Sequence, residues 1–185
     1  VKYIDLPLQH SNAQILKDMR RPVIDYRELV DKIRTKIPDV TIRTAFIVGY
    51  PGETEEQFNE LYKFVKDMRF EKMGVFEYSR EKHTASYSME HQVPEKIKKQ
   101  RREKLMELQQ AISKEINESY IGKTIPCIVE GFSDDGVVML RSQHDAPEID
   151  GMVYATCENS VVPGDIENVK INSADEYDLF GTIID

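Results

Sequence analysis

The stretch with the clearest potential for chemistry is Gly49-Tyr50-Pro51-Gly52, which interrupts an apolar, β-branched run at Thr41–Val48. Glycine permits φ > 0, while proline fixes φ and removes a donor, so the run must stop and turn there. Thr54 with Gln57 then forms a capping-box pattern that opens a helix with Phe58, Leu61, Tyr62, Val65 and Met68 on one face. A strand–turn–helix of this kind places its turn at the carboxyl end of the strand, where α/β folds receive ligands. A plain strand-to-helix connection fits the residue pattern equally well. Arg43 adds a charge inside the strand, which is costly unless paired. It can meet a ligand carboxylate in a bidentate contact, or Asp5 on a neighbouring strand. His10 offers an imidazole for acid–base work, although a turn histidine hydrogen-bonded to backbone is the plainer reading.

These residues need elements to hold them. Lys2–Leu8 reads as a first strand with Asp5, Pro7 and Gln9 on one side and Ile4, Leu6 and Leu8 on the other. Ser11 or Asn12 caps a short helix to about Met19, and Pro22 interrupts it. Tyr26–Ile37 is a second helix with Leu29, Val30, Ile33 and Ile37 inward, and Lys72–Tyr78 is a third strand. Strands alternating with helices predict βα units on a parallel sheet. Three strands are too few to close a barrel, so an open barrel segment with exposed edges is expected, and such edges favour association.

Residues 79–93 form a polar loop, and Pro94 starts a long helix to about Tyr120 with Ile97, Leu105, Leu108, Ile112 and Ile116 at helical spacing. Lys96, Lys98, Lys99, Arg101, Arg102 and Lys104 crowd its first turns, and Glu95, Glu103 and Glu107 among them favour a solvated face over a nucleic-acid patch. From Gly122 the pattern becomes short strands: Ile125, Cys127 and Val129 alternate, Asp135-Gly136 makes a hairpin turn, and Val137–Arg141, Gly151–Cys157, Ile166–Ile171 and Leu179–Ile184 follow. Five such strands predict a small closed barrel of the OB type. The expected organisation is therefore 1–93, a connecting helix at 94–121, and a barrel at 122–185.

Composition bounds the reading. Charged residues make up 31% and hydrophobic ones 40% of the 185, as in globular domains. No apolar run approaches the roughly 20 residues of a membrane helix. The chain opens at Val1 within a strand-like run, which suggests a piece of a longer protein. The two cysteines, Cys127 and Cys157, lie far apart in alternating patterns and read as buried free thiols. Residues 122–185 hold three basic and 13 acidic residues, a net of −10, whereas the first 121 hold 22 basic and 20 acidic. That asymmetry supports a boundary near Gly122.

An ordered series of motifs points further. Pro7-Leu8-Gln9-His10 precedes Leu16-Lys17-Asp18-Met19-Arg20-Arg21; then come Arg43-Thr44, Ile47 to Thr54, and Gly74 to Ser79. Arg101-Arg102, Leu108 to Gln110, Asp145 to Gly151 and Tyr177 to Leu179 complete it. Together they resemble the radical S-adenosylmethionine methylthiotransferases, and within that group the RimO family, over nearly the whole chain. Two departures are local: Ala45 stands where relatives often have Thr or Asp, and Glu81 to Ser86 replaces a usual Glu-Glu-Gly-Thr-Pro-Ala.

The resemblance implies an α/β fold: a partial (β/α) radical-SAM barrel segment followed by an OB-like TRAM barrel. It implies an enzyme that methylthiolates an aspartate of a small-subunit ribosomal protein in the cytoplasm, using S-adenosylmethionine and two four-iron four-sulfur clusters. Such clusters need sets of cysteine thiolates, and neither cysteine here lies in a CxxxCxxC motif. This chain alone is therefore expected to bind no cluster and no structural zinc, and to be inactive. By analogy Gln9, Arg43, Gly49, Pro51, Gly52, Tyr78 and Arg80 would border the cofactor, with core packing the alternative for Tyr78. The acidic barrel, carrying Asp134, Asp135, Asp145, Glu148, Asp150, Glu158, Asp165 and Glu167, would attract a basic ribosomal protein and repel tRNA. Two other readings stand beside this one: part of a tRNA methylthiotransferase, and a non-catalytic acidic module that captures a basic protein.

Overall fold

The computed structural model describes residues 1–157 and 160–184. The chain forms two compact units, Ile4–Gln109 and Gln110–Asp185 together with Val1–Tyr3.

In the first unit, β1 (Tyr3–Asp5), β2 (Thr41–Val48) and β3 (Lys72–Glu77) form a sheet in the order β1-β2-β3. The β2–β3 pair is parallel, with Ala45 opposite Gly74 and Ile47 opposite Phe76. The first strand is shorter than Lys2–Leu8 because Pro7 donates no N–H and Gln9 takes a φ of 70°. Pairing resumes at an isolated bridge between Gln9 and Phe46. Ile42, Thr44, Phe46 and Val48 are buried, whereas Arg43, Ala45 and Ile47 on the opposite face are half-exposed. The period of two thus divides β2 into a packed face and an open face.

The helices follow their local signals. Asn12 caps α1 (Ala13–Asp18), and Asp25 caps α2 (Tyr26–Lys36) through the N–H groups of Arg27 and Glu28. Tyr26 and Val30 of α2 are buried, but Ile37, expected inward, falls just past the helix and is exposed. The capping box at Thr54 and Gln57 opens α3 (Glu55–Met68), whose buried residues are Phe58, Leu61, Phe64, Val65 and Met68. Phe46, Phe64 and Phe70 bring their ring centroids within 5.9–6.2 Å of one another. A 3-10 turn at Ala85–Ser88 interrupts the polar loop.

The long helix α4 (Glu95–Glu118) contradicts one expectation. Lys98 and Arg101 do not lie on a solvated face; they are 2% and 6% exposed. They continue the inward stripe of Leu105, Gln109 and Ile112, at helical spacings of three and four.

In the second unit, β4 (Thr124–Phe132), β5 (Val138–Ser142), β6 (Val153–Thr156), β7 (Ile166–Ala174) and β8 (Leu179–Ile184) close a barrel in the order β4-β5-β6-β8-β7. The β6–β8 pair is parallel, and the other four pairs are antiparallel. Its core comprises Cys127, Val129, Val138, Leu140, Val153, Ala155, Val169, Ile171 and Leu179. Cys127 is fully buried, but Cys157 is only half-buried because it lies just beyond the end of β6.

Burial pushes the Cys127 thiol up to about 12, with Asp145 adding to the shift. The folded barrel therefore holds the proton more tightly than the unfolded chain, where a thiol ionises near about 8.5. This contribution is intact below that value and is lost as pH rises towards about 12. Native-state alkylation with iodoacetamide at about pH 8.5, mapped by mass spectrometry, is expected to spare Cys127 and to label it once urea opens the barrel. Labelling of Cys127 at equal rates in both states would contradict this.

Candidate functional site

The turn after β2 is built around a buried charge cluster rather than around an open backbone. Gly49 has a φ of +75°, and a Cβ there would lie 2.3 Å from Cγ of Lys98. The Lys98 stem therefore lies directly on the glycine, and its Nζ donates to the Tyr78 carbonyl at 2.9 Å and to Glu95 at 2.6 Å. Glu53, with a fully buried side chain, accepts the Gly49 N–H and faces Arg101 at 3.1 Å and His10 Nε2 at 3.4 Å. Arg101 also donates to the Glu53 carbonyl at 3.2 Å and to Glu55 at 3.3 Å. His10 accepts the Asn12 N–H through Nδ1, so the backbone-bonded turn histidine is the form adopted. The turn is thus clamped to α4 by paired charges, the condition under which charges are tolerated inside a protein.

Beside this clamp, at the carboxyl end of the sheet, lies a cavity of about 570 Å3. Ile47, Tyr50, Phe76 and Tyr78 form much of its wall, with Gln9 and the segments Asp18–Arg21 and Thr84–Ser86. That volume is within the range of ligand pockets. Tyr50 and Tyr78 meet edge-on at 5.3 Å. The Tyr50 hydroxyl donates to the Asp18 carbonyl at 2.9 Å. Burial, reinforced by Tyr78 and Asp18, pushes the Tyr50 phenol above its ordinary value. Tyr78 is 8% exposed and its hydroxyl has no hydrogen-bond partner, a costly state that a ligand could relieve.

The candidate residues divide. Gln9 and Tyr78 are on the cavity wall. Arg43 is not; it pairs with Asp5 at 3.0 Å across neighbouring strands. Gly49, Pro51 and Gly52 are not among the wall residues; they belong to the turn that carries Tyr50, with Gly49 and Gly52 at positive φ. Arg80 donates to the Tyr87 carbonyl at 2.8 Å and stacks over that ring at 4.7 Å, so it secures the loop that supplies Thr84–Ser86. Sequence reasoning missed Tyr50, Glu53, Lys98 and Arg101. The signal for the two cations was their place in the apolar stripe of α4.

In the barrel unit, several acidic side chains are committed to their own backbone. Asp150 accepts the Ala146 N–H and Asp165 the Val162 N–H. Asp145, expected to contribute to a surface field, is buried and accepts the Ser142 hydroxyl at 2.5 Å. Glu158 lies outside the described residues. Among the described residues no group of three His, Cys, Asp or Glu side chains is placed to hold a metal ion. Nor is any helix there long and apolar enough to cross a membrane.

An α/β unit with a ligand-sized cavity is followed in the chain by a long helix and a five-stranded barrel, and residues 121–184, which contain that barrel, match the TRAM domain model. The chain is 50% identical to ribosomal protein uS12 methylthiotransferase RimO of Caldanaerobacter subterraneus subsp. tengcongensis, over 98% of its own length and 42% of the relative's. It is 47% identical to the protein of the same name from Carboxydothermus hydrogenoformans, over 100% of its length and 43% of the relative's. For the Cytophaga hutchinsonii protein of that name the identity is 44%, over 99% and 42%. The chain belongs to the RimO family and corresponds to the TRAM-containing part of it. It spans about two fifths of the length of the curated relatives it matches.

Proposed function

We propose that the full-length protein is a radical S-adenosylmethionine methylthiotransferase that modifies an aspartate of a small-subunit ribosomal protein in the cytoplasm. On this reading residues 1–93 are the second half of its barrel, 94–121 the connecting helix and 122–185 the TRAM barrel. The observation that carries the proposal is the match to uS12 methylthiotransferases along 98% or more of this chain. The cavity supports it, since it lies at the strand ends where α/β enzymes bind ligands.

The residues present suit one of the two implied cofactors. An aromatic and apolar wall suits S-adenosylmethionine, with Gln9 and the ring of Tyr78 as direct contacts. Tyr50 would pack against it, positioned by Gly49, Pro51 and Gly52, while Arg80 keeps the 84–86 loop in place. Arg43 would act through its pair with Asp5. The chemistry this cofactor supplies is hydrogen removal from an unactivated carbon, and the chain's part is orientation and exclusion of water. The two four-iron four-sulfur clusters do not fit this chain, since Cys127 is buried in the barrel and no set of thiolates exists. Their ligands belong to the rest of the full-length protein.

The net charge of −10 on residues 122–185 supports a basic protein as partner over tRNA, because RNA binding needs lysines and arginines for phosphates. The test offers the reduced full-length enzyme, with cofactor and sulfur source, both the ribosomal protein and tRNA, and reads products by mass spectrometry. A methylthio group on an aspartate of the protein is expected. KM for the protein should rise as salt shortens the screening length from about 10 Å at 0.1 M to about 3 Å at 1 M. Modification of tRNA alone would overturn the proposal.

A further inference from the structure

The cavity wall carries two arginines, Arg20 and Arg21, against three carboxylates, Asp18, Glu77 and Glu81. Arg21 is committed, since it donates to the Pro7 carbonyl at 2.9 Å. Glu81 accepts the Ser79 hydroxyl, and Asp18 accepts the Gln14 amide. Among the described residues the Arg20 guanidinium makes no hydrogen bond and no ion pair. Its backbone has a φ of 57°, and its N–H is bonded to Lys17 as the chain leaves α1. The arginine is thus fixed at its base and free at its tip. Tyr78 contributes a second uncommitted donor, its buried hydroxyl.

We infer that Arg20, with the Tyr78 hydroxyl, receives a carboxylate in this cavity, and that this is the side-chain carboxylate of the residue to be modified. The inference rests on the proposed function and adds the residue that selects the substrate side chain. A guanidinium presents two parallel donors matched to a carboxylate, and a phenol adds a third. Asp18, Glu77 and Glu81 repel a carboxylate elsewhere on the wall, so recognition concentrates at Arg20, which of the two wall arginines is the one whose guanidinium makes no hydrogen bond among the described residues. Arg20 is exposed whereas Tyr78 is buried, as suits a group that meets a side chain entering from outside.

The test compares a peptide bearing the target aspartate with its asparagine counterpart. With the 185-residue chain, dissociation constants are read by fluorescence anisotropy; with the full-length enzyme, kcat/KM is read for each peptide. Wild type is expected to favour aspartate by about 10–100-fold, the range of a hydrogen bond to a charged group. Arg20→Gln should reduce that ratio to about threefold or less, and Arg20→Lys should restore part of it, since lysine keeps the charge without the fork. A ratio unchanged in Arg20→Gln, or an effect confined to KM for S-adenosylmethionine, would overturn the assignment of Arg20. Failure of wild type to modify either peptide would overturn the functional reading, and this inference with it.

Discussion

Replacing Arg101 with alanine is expected to destabilise the Ile4–Gln109 unit by about 3–5 kcal/mol, because it strands a carboxylate inside the protein. The Arg101 side chain is 7% exposed and that of Glu53 is fully buried, so water cannot take over the lost partner. What would remain near Glu53 is the Gly49 N–H and His10, with the imidazole at 3.4 Å. The same loss frees the Glu53 carbonyl and Glu55 from α4, so the turn and the helix should loosen together. Urea unfolding would measure the total, and hydrogen exchange at Gly49, Gly52 and Glu53 would locate it. Removing both charges with Glu53→Gln and Arg101→Met should recover much of the loss, because a neutral pair carries no stranded charge. An Arg101→Ala protein as stable as wild type would show that solvent reaches the cluster.

Phe46→Ala should cost a similar amount, about 3–5 kcal/mol, by a different route. Phe46 is fully buried at the middle of the sheet, with Phe64 edge-on at 6.2 Å and Phe70 at 6.0 Å. Alanine would leave a cavity between two rings that are themselves held by α3 and by the approach to β3. Close-packed interiors collapse only partly onto such a gap, so lost contacts add to the lost transfer free energy. The melting temperature should fall on the order of 15 °C. Phe46→Leu, which keeps most of the volume, should lose far less. The position has a functional consequence too: Phe46 bridges Gln9 and adjoins Ile47, so the wall residues depend on its packing. A cavity variant that melts within about 2 °C of wild type would mean the three rings are not the centre of this core.

How much of the molecule could be read from the chain depends on the range of the forces involved. Thr41–Val48 as a strand, the Thr54–Gln57 capping box and the barrel strands after Gly122 follow from short-range signals. Alternation, caps and turn residues act within a few positions, so they are visible without a partner. The family motifs likewise belong to the linear order of residues. The fate of each charge does not. Arg43 could have served a ligand or Asp5, and only the placement of β1 beside β2 decided for Asp5. Lys98 and Arg101 read as solvated because a charge on a helix is usually exposed. They are buried because Glu53, 48 positions from Arg101 in the chain, and the bare face of Gly49 meet α4. Asp145 likewise reads as part of a surface field until Ser142 is found beneath it. Whether a charge is a contact, a clamp or a solvated ornament is settled by its partner, and partners distant in sequence meet only in the folded chain.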